Sequence, residues 1–322
     1  MSGKLAMRIL ITGATGFIGS HLTRQLASSG NEIFVLLPPG AGLDRIRDVS
    51  ASLHVIPGDV LIPEDVAACL AEARPDLCFH LAWYVEPGKY LSSEMNLDHL
   101  QAGVRLARQL AAAGCRKLVA TGTCFEYDLT RQGVGNLERV SEQSPTAPRS
   151  LYAACKLSLQ QVLEQFSALS GMAVAWPRLF YQYGPFEDER RLVPSIILAL
   201  LEGRSVALTP GEQVRDYLHV EDVASAIMAT GLGSLTGPVN VGSGIPVTVR
   251  EIAETLGRNT GRPDLLALGA RDYPPDDPRF VCADNRKLVE GTGWSPRWTI
   301  EAGLTQTLEW FRQRRADASS PE

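Results

Sequence analysis

A glycine-rich turn directly after an apolar run near the start of the chain most constrains the fold. Residues 7–12 form a strand candidate that continues into residues 13–19, Gly-Ala-Thr-Gly-Phe-Ile-Gly, and helical periodicity follows. A strand, a glycine turn and a helix in this order present backbone N–H groups and the positive helix end to a pyrophosphate. The spacing G-x-x-G-x-x-G is a variant of the dinucleotide-binding fingerprint. The predicted cofactor-binding residues of this turn are Gly13, Thr15, Gly16, Phe17, Ile18 and Gly19.

The first 180 residues alternate strand candidates with amphipathic segments. Strands are predicted at residues 7–12, 32–37, 53–57, 77–82, 117–121 and 173–178, with helices beginning near residues 17, 63, 92 and 151. This alternation predicts an α/β protein of the Rossmann class, a doubly wound parallel sheet with helices on both faces. We expect residues 1–180 to form the nucleotide-binding domain, with residues 216–240 returning to it. The shorter pieces in residues 181–322 predict a smaller C-terminal α/β region that binds substrate.

Composition narrows the class of partner and compartment. A net charge of −5 over 322 residues gives no reason to expect nucleic acid as a partner. We see neither a signal-peptide pattern nor an apolar run of the roughly 20 residues that cross a bilayer. The six cysteines are scattered, and the five histidines lack metal-ligand spacing. We therefore expect a cytoplasmic protein with no membrane span and no metal.

The end of the second strand candidate bears on the choice between NAD and NADP. An acid at this place binds the ribose 2′-OH of NAD, whereas a basic residue accepts the 2′-phosphate of NADP. Here the chain reads Leu-Leu-Pro-Pro-Gly at residues 36–40, without an acid. Arg45 or Arg47 could supply a counter-charge, or both could be solvated loop residues. We expect NADP or NAD, with NADP preferred.

Tyr152 and Lys156 stand four residues apart in a segment with helical periodicity, so both lie on one face. A lysine cation near a phenol lowers the tyrosine pKa and makes it a usable acid/base for a carbonyl/alcohol pair. Residues 121–127 follow the fifth strand candidate, at the edge where doubly wound folds contact ligands. The Thr123 hydroxyl is placed there to hydrogen-bond a substrate oxygen. We predict Thr123, Tyr152 and Lys156 as the catalytic residues.

These segments resemble the extended short-chain dehydrogenase/reductases over nearly the whole chain. Within that family the chain is most similar to the nucleotide-sugar epimerase/dehydratase branch, and residues 209–223 and 279–296 look like those of sugar 4-ketoreductases such as CDP-abequose synthase. The resemblance is carried by residues 13–19, Asp59-Val60, His80-Leu81-Ala82, Thr123, Tyr152 with Lys156, residues 178–185 and residues 215–222.

The resemblance implies roles for the cofactor and substrate residues. Lys156 would bind the nicotinamide ribose and tune Tyr152. Thr123 would orient the sugar oxygen. The remaining implied contacts are Asp59 and Val60 at the adenine end, Leu81, Ala82 and Thr121 on the nicotinamide side, and Tyr181, Arg215 and Arg279 on the nucleotide-diphosphate sugar. Tyr181 replaces an asparagine of the family motif, so the substrate contact at this position differs. The resemblance also implies a homodimer through the helices at residues 92–113 and 151–169.

Departures from the family pattern narrow the reaction. In the 4,6-dehydratases an acid pair follows the motif threonine, whereas Cys124 and Phe125 follow Thr123 here. Dehydration is therefore disfavoured, and Glu126 is expected to point elsewhere. We expect an NAD(P)-dependent oxidoreductase that reduces a 4-keto-6-deoxy nucleotide sugar at C4, with a nucleotide-sugar 4-epimerase as the alternative. A catalytically dead cofactor sensor is disfavoured because Thr123, Tyr152 and Lys156 are all present.

Overall fold

The alternating segments of the first 180 residues form a parallel sheet with crossing helices. The computed structural model describes residues 6–131 and 138–319. Its strands are β1 Arg8–Thr12, β2 Glu32–Leu37, β3 Leu53–Pro57, β4 Leu77–His80, β5 Lys117–Ala120, β6 Gly122–Thr123, β7 Ala173–Leu179, β8 Tyr181–Tyr183, β9 Val206–Ala207, β10 Val214–Arg215, β11 Tyr217–His219, β12 Gly237–Val241, β13 Val247–Thr248, β14 Leu266–Ala267 and β15 Phe280–Val281. Its α-helices are α1 Phe17–Ala27, α2 Pro63–Ala73, α3 Met95–Ala112, α4 Leu151–Ser170, α5 Leu192–Leu201, α6 Val220–Leu232, α7 Val249–Thr260, α8 Arg286–Thr292 and α9 Ile300–Ser319.

The main sheet has the order β3-β2-β1-β4-β5-β7-β12, and the short β6 pairs with β7. Every pairing in this sheet is parallel. The order reverses between β1 and β4, which creates a crevice at the carboxyl ends of these two strands, the usual ligand position in such folds. The predicted doubly wound α/β class is confirmed.

Both faces of the sheet are covered because its strands are apolar on both sides. Leu10 of β1 belongs to the core cluster formed with α2, α3 and α4. Its neighbours Ile9 and Ile11 belong to the opposite cluster, formed with α1, α6 and α8. The side chains alternate between the faces along one strand, so a single buried strand holds the two helix layers together.

The C-terminal half of the chain forms a second, smaller core and also adds elements to the main sheet. Helices α5, α7 and α9 enclose a third core cluster, beside small sheets in which β10 pairs with β13 and β15, and β9 with β14. Strand β12 is an edge strand of the main sheet. Helix α6 packs on that sheet, and α8 does so through Leu288. Among residues 6–131 and 138–319, no helix is both long and apolar enough to cross a membrane. In the same ranges no three His, Cys, Asp or Glu side chains are grouped to hold a metal ion.

Candidate active site

The turn between β1 and α1 has the shape of a phosphate cradle. Gly13 has φ 77°, and a Cβ at this position would lie 2.6 Å from the backbone nitrogen of Ala82. A Cβ on Gly19 would lie 1.9 Å from the Gly13 carbonyl oxygen. Helix α1 begins after Gly16 without a side-chain cap and without an acid in its first turn. The uncapped N–H groups and the close backbone approach fit the pyrophosphate of a dinucleotide.

A cavity of about 710 Å³ extends from this turn to the predicted catalytic residues. Its volume is typical of small-molecule and cofactor sites. The structure brings most predicted site residues together here, namely Gly13, Gly16, Phe17, Ile18, Gly19, Leu81, Ala82, Thr121, Thr123, Tyr152, Lys156 and Tyr181. The predicted residues that do not line it are Thr15, Asp59, Val60, Arg215 and Arg279.

The predicted catalytic trio is positioned by the end of β6 and the first turns of α4. Ser150 caps α4 by accepting a hydrogen bond from the Ala153 backbone N–H (3.2 Å), which fixes where the helix begins. Lys156 follows Tyr152 by one helical turn, and its Nζ donates to the Thr121 carbonyl oxygen (2.7 Å). This Nζ lies 6.0 Å from the centre of the Tyr152 ring.

The pKa of Tyr152 is displaced in the direction opposite to the one expected from the sequence. Burial raises the pKa of the Tyr152 phenol, and the nearby Tyr90 and Glu126 raise it further. A hydrogen bond with Thr123 opposes this change. The expected lowering of the Tyr152 pKa is not found, because burial and the two neighbouring groups disfavour the phenolate more than the Thr123 hydrogen bond favours it. Tyr152 is a neutral phenol here and is therefore equipped to donate a proton.

Lys156 is also affected by burial, which lowers its pKa to about 7. Its Nζ lies 3.8 Å above the centre of the Trp83 ring, a cation–π contact. The Trp83 indole is held in turn by a hydrogen bond from its Nε1 to Asn96 Oδ1 (2.8 Å) and by stacking on His99 (5.3 Å between ring centres). The Lys156 ammonium group therefore has two partners, the Thr121 carbonyl oxygen and the face of the Trp83 ring.

Comparison with known proteins identifies the family. The model described as "NAD dependent epimerase/dehydratase family" matches residues 9–242. This chain belongs to that family. The UDP-glucose 4-epimerase of Mycolicibacterium smegmatis is 30% identical over 321 residues, covering 96% of this chain and 99% of that protein. The dTDP-glucose 4,6-dehydratase of Streptomyces niveus is 28% identical, covering 96% of this chain and 94% of that protein.

Solved structures agree with this assignment. The UDP-glucose 4-epimerase of Thermotoga maritima, solved with UDP-glucose, has a TM-score of 0.84 at 25% identity, covering 96% of this chain and 100% of that chain. The UDP-glucose 4-epimerase of Thermus thermophilus, solved with NAD, has a TM-score of 0.81 at 27% identity, covering 95% and 99%. The chain is thus a member of an enzyme family and has the fold of that NAD-dependent epimerase/dehydratase family.

The two residues that follow Thr123 in this family member, Cys124 and Phe125, are unsuited to acid/base catalysis. Cys124 is buried, and burial raises the pKa of its thiol to about 12. Phe125 lines the cavity and has no titratable group. Glu126 points away from the cavity, as expected, and is fully buried. Its Oε1 accepts from the Thr123 backbone N–H (2.9 Å) and its Oε2 from Arg178 Nε (2.6 Å), so Glu126 fixes the strand end that carries Thr123.

The predicted phosphate-binding arginines have protein partners in this structure. Arg215 is buried, forms an ion pair with Asp277 and donates to the Pro278 carbonyl oxygen (2.6 Å). The Arg279 guanidinium lies 4.1 Å above the ring of Tyr273. Neither arginine lines the cavity. To bind a substrate diphosphate, each would have to leave its present protein partner.

The residues predicted at the adenine end lie beside β3. Asp59 accepts a hydrogen bond from the Leu61 backbone N–H (2.9 Å), and its own N–H donates to Asp65 Oδ2 (2.8 Å). Val60 is buried. Both follow the strand that pairs with β2, and Asp59 contributes to the local turn.

Arg45 and Arg47 differ in position. Arg45 lines the cavity and donates to the Thr15 carbonyl oxygen (3.3 Å) and the Phe186 carbonyl oxygen (3.1 Å). Arg47 is exposed and pairs with Asp44. Of these two arginines, Arg45 is therefore the one whose charge lies at the cavity wall.

Sequence reasoning missed several residues that the structure places at the site. Trp83 and Glu126 support Lys156 and Thr123, and Glu187 lines the cavity. Trp83 follows directly on the predicted Leu81-Ala82 pair, which was the available signal. Nothing in the local sequence marked Glu187, because its importance depends on where the chain turns after β8.

Proposed function

We propose that this protein reduces a 4-keto-6-deoxy nucleotide sugar at C4 with NADPH or NADH. The observation that carries the proposal is that Thr123, Tyr152 and Lys156 share one cavity with the glycine turn after β1. A nicotinamide dinucleotide bound at that turn would supply hydride to the carbonyl carbon. The glycine positions and uncapped helix fit such a group, as the Gly13 and Gly19 geometry indicates.

The chain's own residues move and place the proton. Thr123 hydrogen-bonds the C4 oxygen and holds it toward Tyr152. Tyr152 donates its phenolic proton to that oxygen as negative charge develops there, so the carbonyl becomes a hydroxyl. The Lys156 ammonium then stabilises the phenolate that remains until it is reprotonated. Burial raises the Tyr152 pKa, so the phenol carries its proton but is a weak acid, and the Lys156 charge is needed to stabilise the phenolate as the proton leaves.

A nucleotide-sugar 4-epimerase is the alternative. It is favoured by the relatives, since the matching proteins of M. smegmatis, T. maritima and T. thermophilus are UDP-glucose 4-epimerases. The same trio would take a proton and return it, while the sugar turned over between two hydride transfers. The missing acid after β2 and the nearby Arg45 support NADP, whereas the NAD in the T. thermophilus structure supports NAD.

Turnover with defined cofactors separates these functions. Purified protein is first denatured to identify any released dinucleotide, and fresh protein is then assayed with UDP-, dTDP-, GDP- and CDP-sugars. A reductase consumes one NADPH or NADH per product and acts on the 4-keto-6-deoxy sugar. An epimerase carries bound NAD and interconverts 4-epimers without net consumption. Full turnover by Tyr152→Phe would overturn the proton-transfer role in either reaction, and the matched control is Tyr84→Phe.

A further inference from the structure

Glu187 brings a carboxyl group into the wall of the active-site cavity. It lies in the segment between β8 and α5, and its backbone N–H donates to the Gly184 carbonyl oxygen (3.2 Å). The preceding Phe186 has φ 70°, and its ring contacts His21 and Trp310 at 5.9 and 4.9 Å between ring centres. The Phe186 ring thus packs against α1 and α9, and both Phe186 and the next residue, Glu187, line the cavity.

One oxygen of the Glu187 carboxyl lacks a hydrogen-bond partner among the described residues. Its Oε2 is buried and has no hydrogen-bond partner in the part of the chain that the structure describes. Burial raises the pKa of this carboxyl well above its usual range, and the charge of Arg191 and a hydrogen bond with the Gly184 backbone oppose that change only in part. Proteins rarely leave a buried polar side-chain atom unpaired, because its lost hydration is not recovered. A carboxyl held in this way at a cavity wall indicates a ligand that supplies the missing hydrogen bond.

The surroundings of Glu187 indicate which ligand. Tyr217 lies close enough for its pKa to be raised by the Glu187 charge, and its ring packs against Tyr181 at 5.6 Å between centres. Both rings line the cavity. Aromatic faces and a carboxyl together suit a sugar, whose C–H surface packs on rings and whose hydroxyls both donate and accept hydrogen bonds. A phosphate would be repelled by this carboxyl whenever it is ionised.

We propose that Glu187 is a specificity-determining residue that hydrogen-bonds one hydroxyl group of the substrate's sugar ring. The proposal rests on the proposed function, since it takes the substrate to be a nucleotide sugar. A hydroxyl donates to Oε2 when the carboxyl is ionised and accepts from it when the carboxyl is protonated, so the contact forms in both states. Sites with such a group discriminate strongly against a substrate that lacks the hydroxyl, because the buried carboxyl is then left unpaired.

Binding of nucleotide sugars by calorimetry tests this contact. For the nucleotide sugar that the wild-type protein turns over, we expect Glu187→Ala to raise Kd about 10- to 100-fold. Glu187→Gln should recover part of the loss, because its amide still forms a hydrogen bond. Among analogues that lack a single hydroxyl, one should bind the wild-type protein and Glu187→Ala equally. The Kd values of the dinucleotide and of the bare nucleoside diphosphate should stay within about twofold.

The control is Glu189→Ala, which removes an exposed carboxyl two residues further along and does not line the cavity. It should bind sugar as the wild-type protein does. Equal loss for every deoxy analogue, or a loss confined to dinucleotide binding, would overturn the role of Glu187. No binding of any nucleotide sugar by the wild-type protein would overturn the proposed function itself. A lower Tm for Glu187→Ala than for Glu189→Ala would assign the carboxyl to the fold instead of a ligand.

Discussion

Glu126 and Arg178 form a fully buried ion pair beneath Thr123, the proposed catalytic threonine, with side chains 0% and 3% exposed. The pair is enclosed by a hydrogen bond and a cation–π contact: Trp176 Nε1 donates to Glu126 Oε1 (3.0 Å), and the Arg178 guanidinium lies 4.5 Å above the Tyr127 ring. A buried charge is tolerated only when its partners are complete. Glu126 is thus a positioning residue that acts on Thr123 through the backbone.

We predict that Glu126→Gln lowers the free energy of unfolding by roughly 3–5 kcal/mol, because Arg178 is left as an uncompensated buried charge. Urea denaturation measures this change. The matched control is Glu202→Gln, which removes one partner of the exposed pair with Arg204 and should change stability little. Equal stability of the Glu126→Gln and wild-type proteins would show that the buried pair has no such role.

We predict that Lys156 makes stability of the dinucleotide-free protein rise with pH between about 7 and 10. The folded-state pKa is about 7, below the unfolded value of about 10.4. In this window the unfolded chain binds the proton and the folded protein does not, so stability increases by up to about 1.4 kcal/mol per pH unit. Below it both states are protonated, and the folded state carries a buried charge. Urea denaturation across this range compares the wild-type protein with Lys156→Met.

The Lys156→Met protein should lack this pH dependence, so the stability difference between the two proteins should change steadily across the window. The surface variant Lys89→Met, whose exposed ammonium pairs with Glu86, should follow the wild-type protein between pH 7 and 9. Parallel curves for Lys156→Met and the wild-type protein would contradict the lowered Lys156 pKa.

At the residue scale, the sequence was sufficient for groups whose chemistry depends on local spacing. Tyr152 and Lys156 were predictable because one helical turn separates them. The direction of the Tyr152 pKa was not, because it depends on Tyr90 and on burial by distant segments. The protein partners of Arg215 were hidden for the same reason, since Asp277 is 62 residues away.

At the scale of elements, α1 shows how a helix is held against its strand. The first turn of α1 approaches the Gly13 carbonyl so closely that position 19 accepts only glycine. We predict that Gly19→Ala weakens dinucleotide binding by about tenfold or more, because the phosphate turn must move to admit the methyl group. Fluorescence titration with NADPH and NADH measures the loss. Gly42→Ala is the control, since its methyl group would meet nothing nearer than 3.4 Å; equal binding by both variants would contradict the cradle.

Long periodic elements were predictable from the sequence, and short ones were not. The bounds of β2 and β3 agree with residues 32–37 and 53–57, because apolar runs between turns mark buried strands. Helix α3 begins at Met95 and not near residue 92. The Asn96 side chain donates to the carbonyl oxygens of Tyr90 (2.7 Å) and Ser93 (2.8 Å), which holds the preceding residues in turns. The two-residue strands after β8 are set by tertiary pairing and leave no periodic signal.

At the scale of the whole molecule, we propose a homodimer through α3 and α4. Leu97 of α3 and Val162 of α4 are 44% and 47% exposed, and Leu169 near the end of α4 is 84% exposed. Apolar side chains at such exposure on two adjacent helices favour burial against a second copy. Light scattering should give about twice the chain mass of 34.9 kDa. Leu97→Glu with Val162→Glu should give monomers, whereas Ile245→Glu, at an exposed site elsewhere, should not. A monomeric wild-type protein would contradict the proposal.

The two sides of the cavity differ in how far the sequence predicts them. The nucleotide-binding sheet repeats one motif, so its fold and its glycine turn could be predicted from the sequence. The substrate side of the cavity is assembled from β6, α4 and the segment after β8, which meet only in the folded chain. We propose that the choice of sugar depends on that assembly and on groups such as Glu187.

Hydride transfer to the sugar tests the proposed chemistry most directly. The protein is mixed with NADPH or NADH deuterated at C4 of the nicotinamide, together with a 4-keto-6-deoxy nucleotide sugar, and the product is examined by NMR. We predict deuterium bound to C4 of the sugar beside a new hydroxyl group, with the rate reduced by about 10²- to 10⁴-fold in Tyr152→Phe. Product without deuterium at C4, or an unchanged rate in Tyr152→Phe, would contradict the role assigned to this cavity.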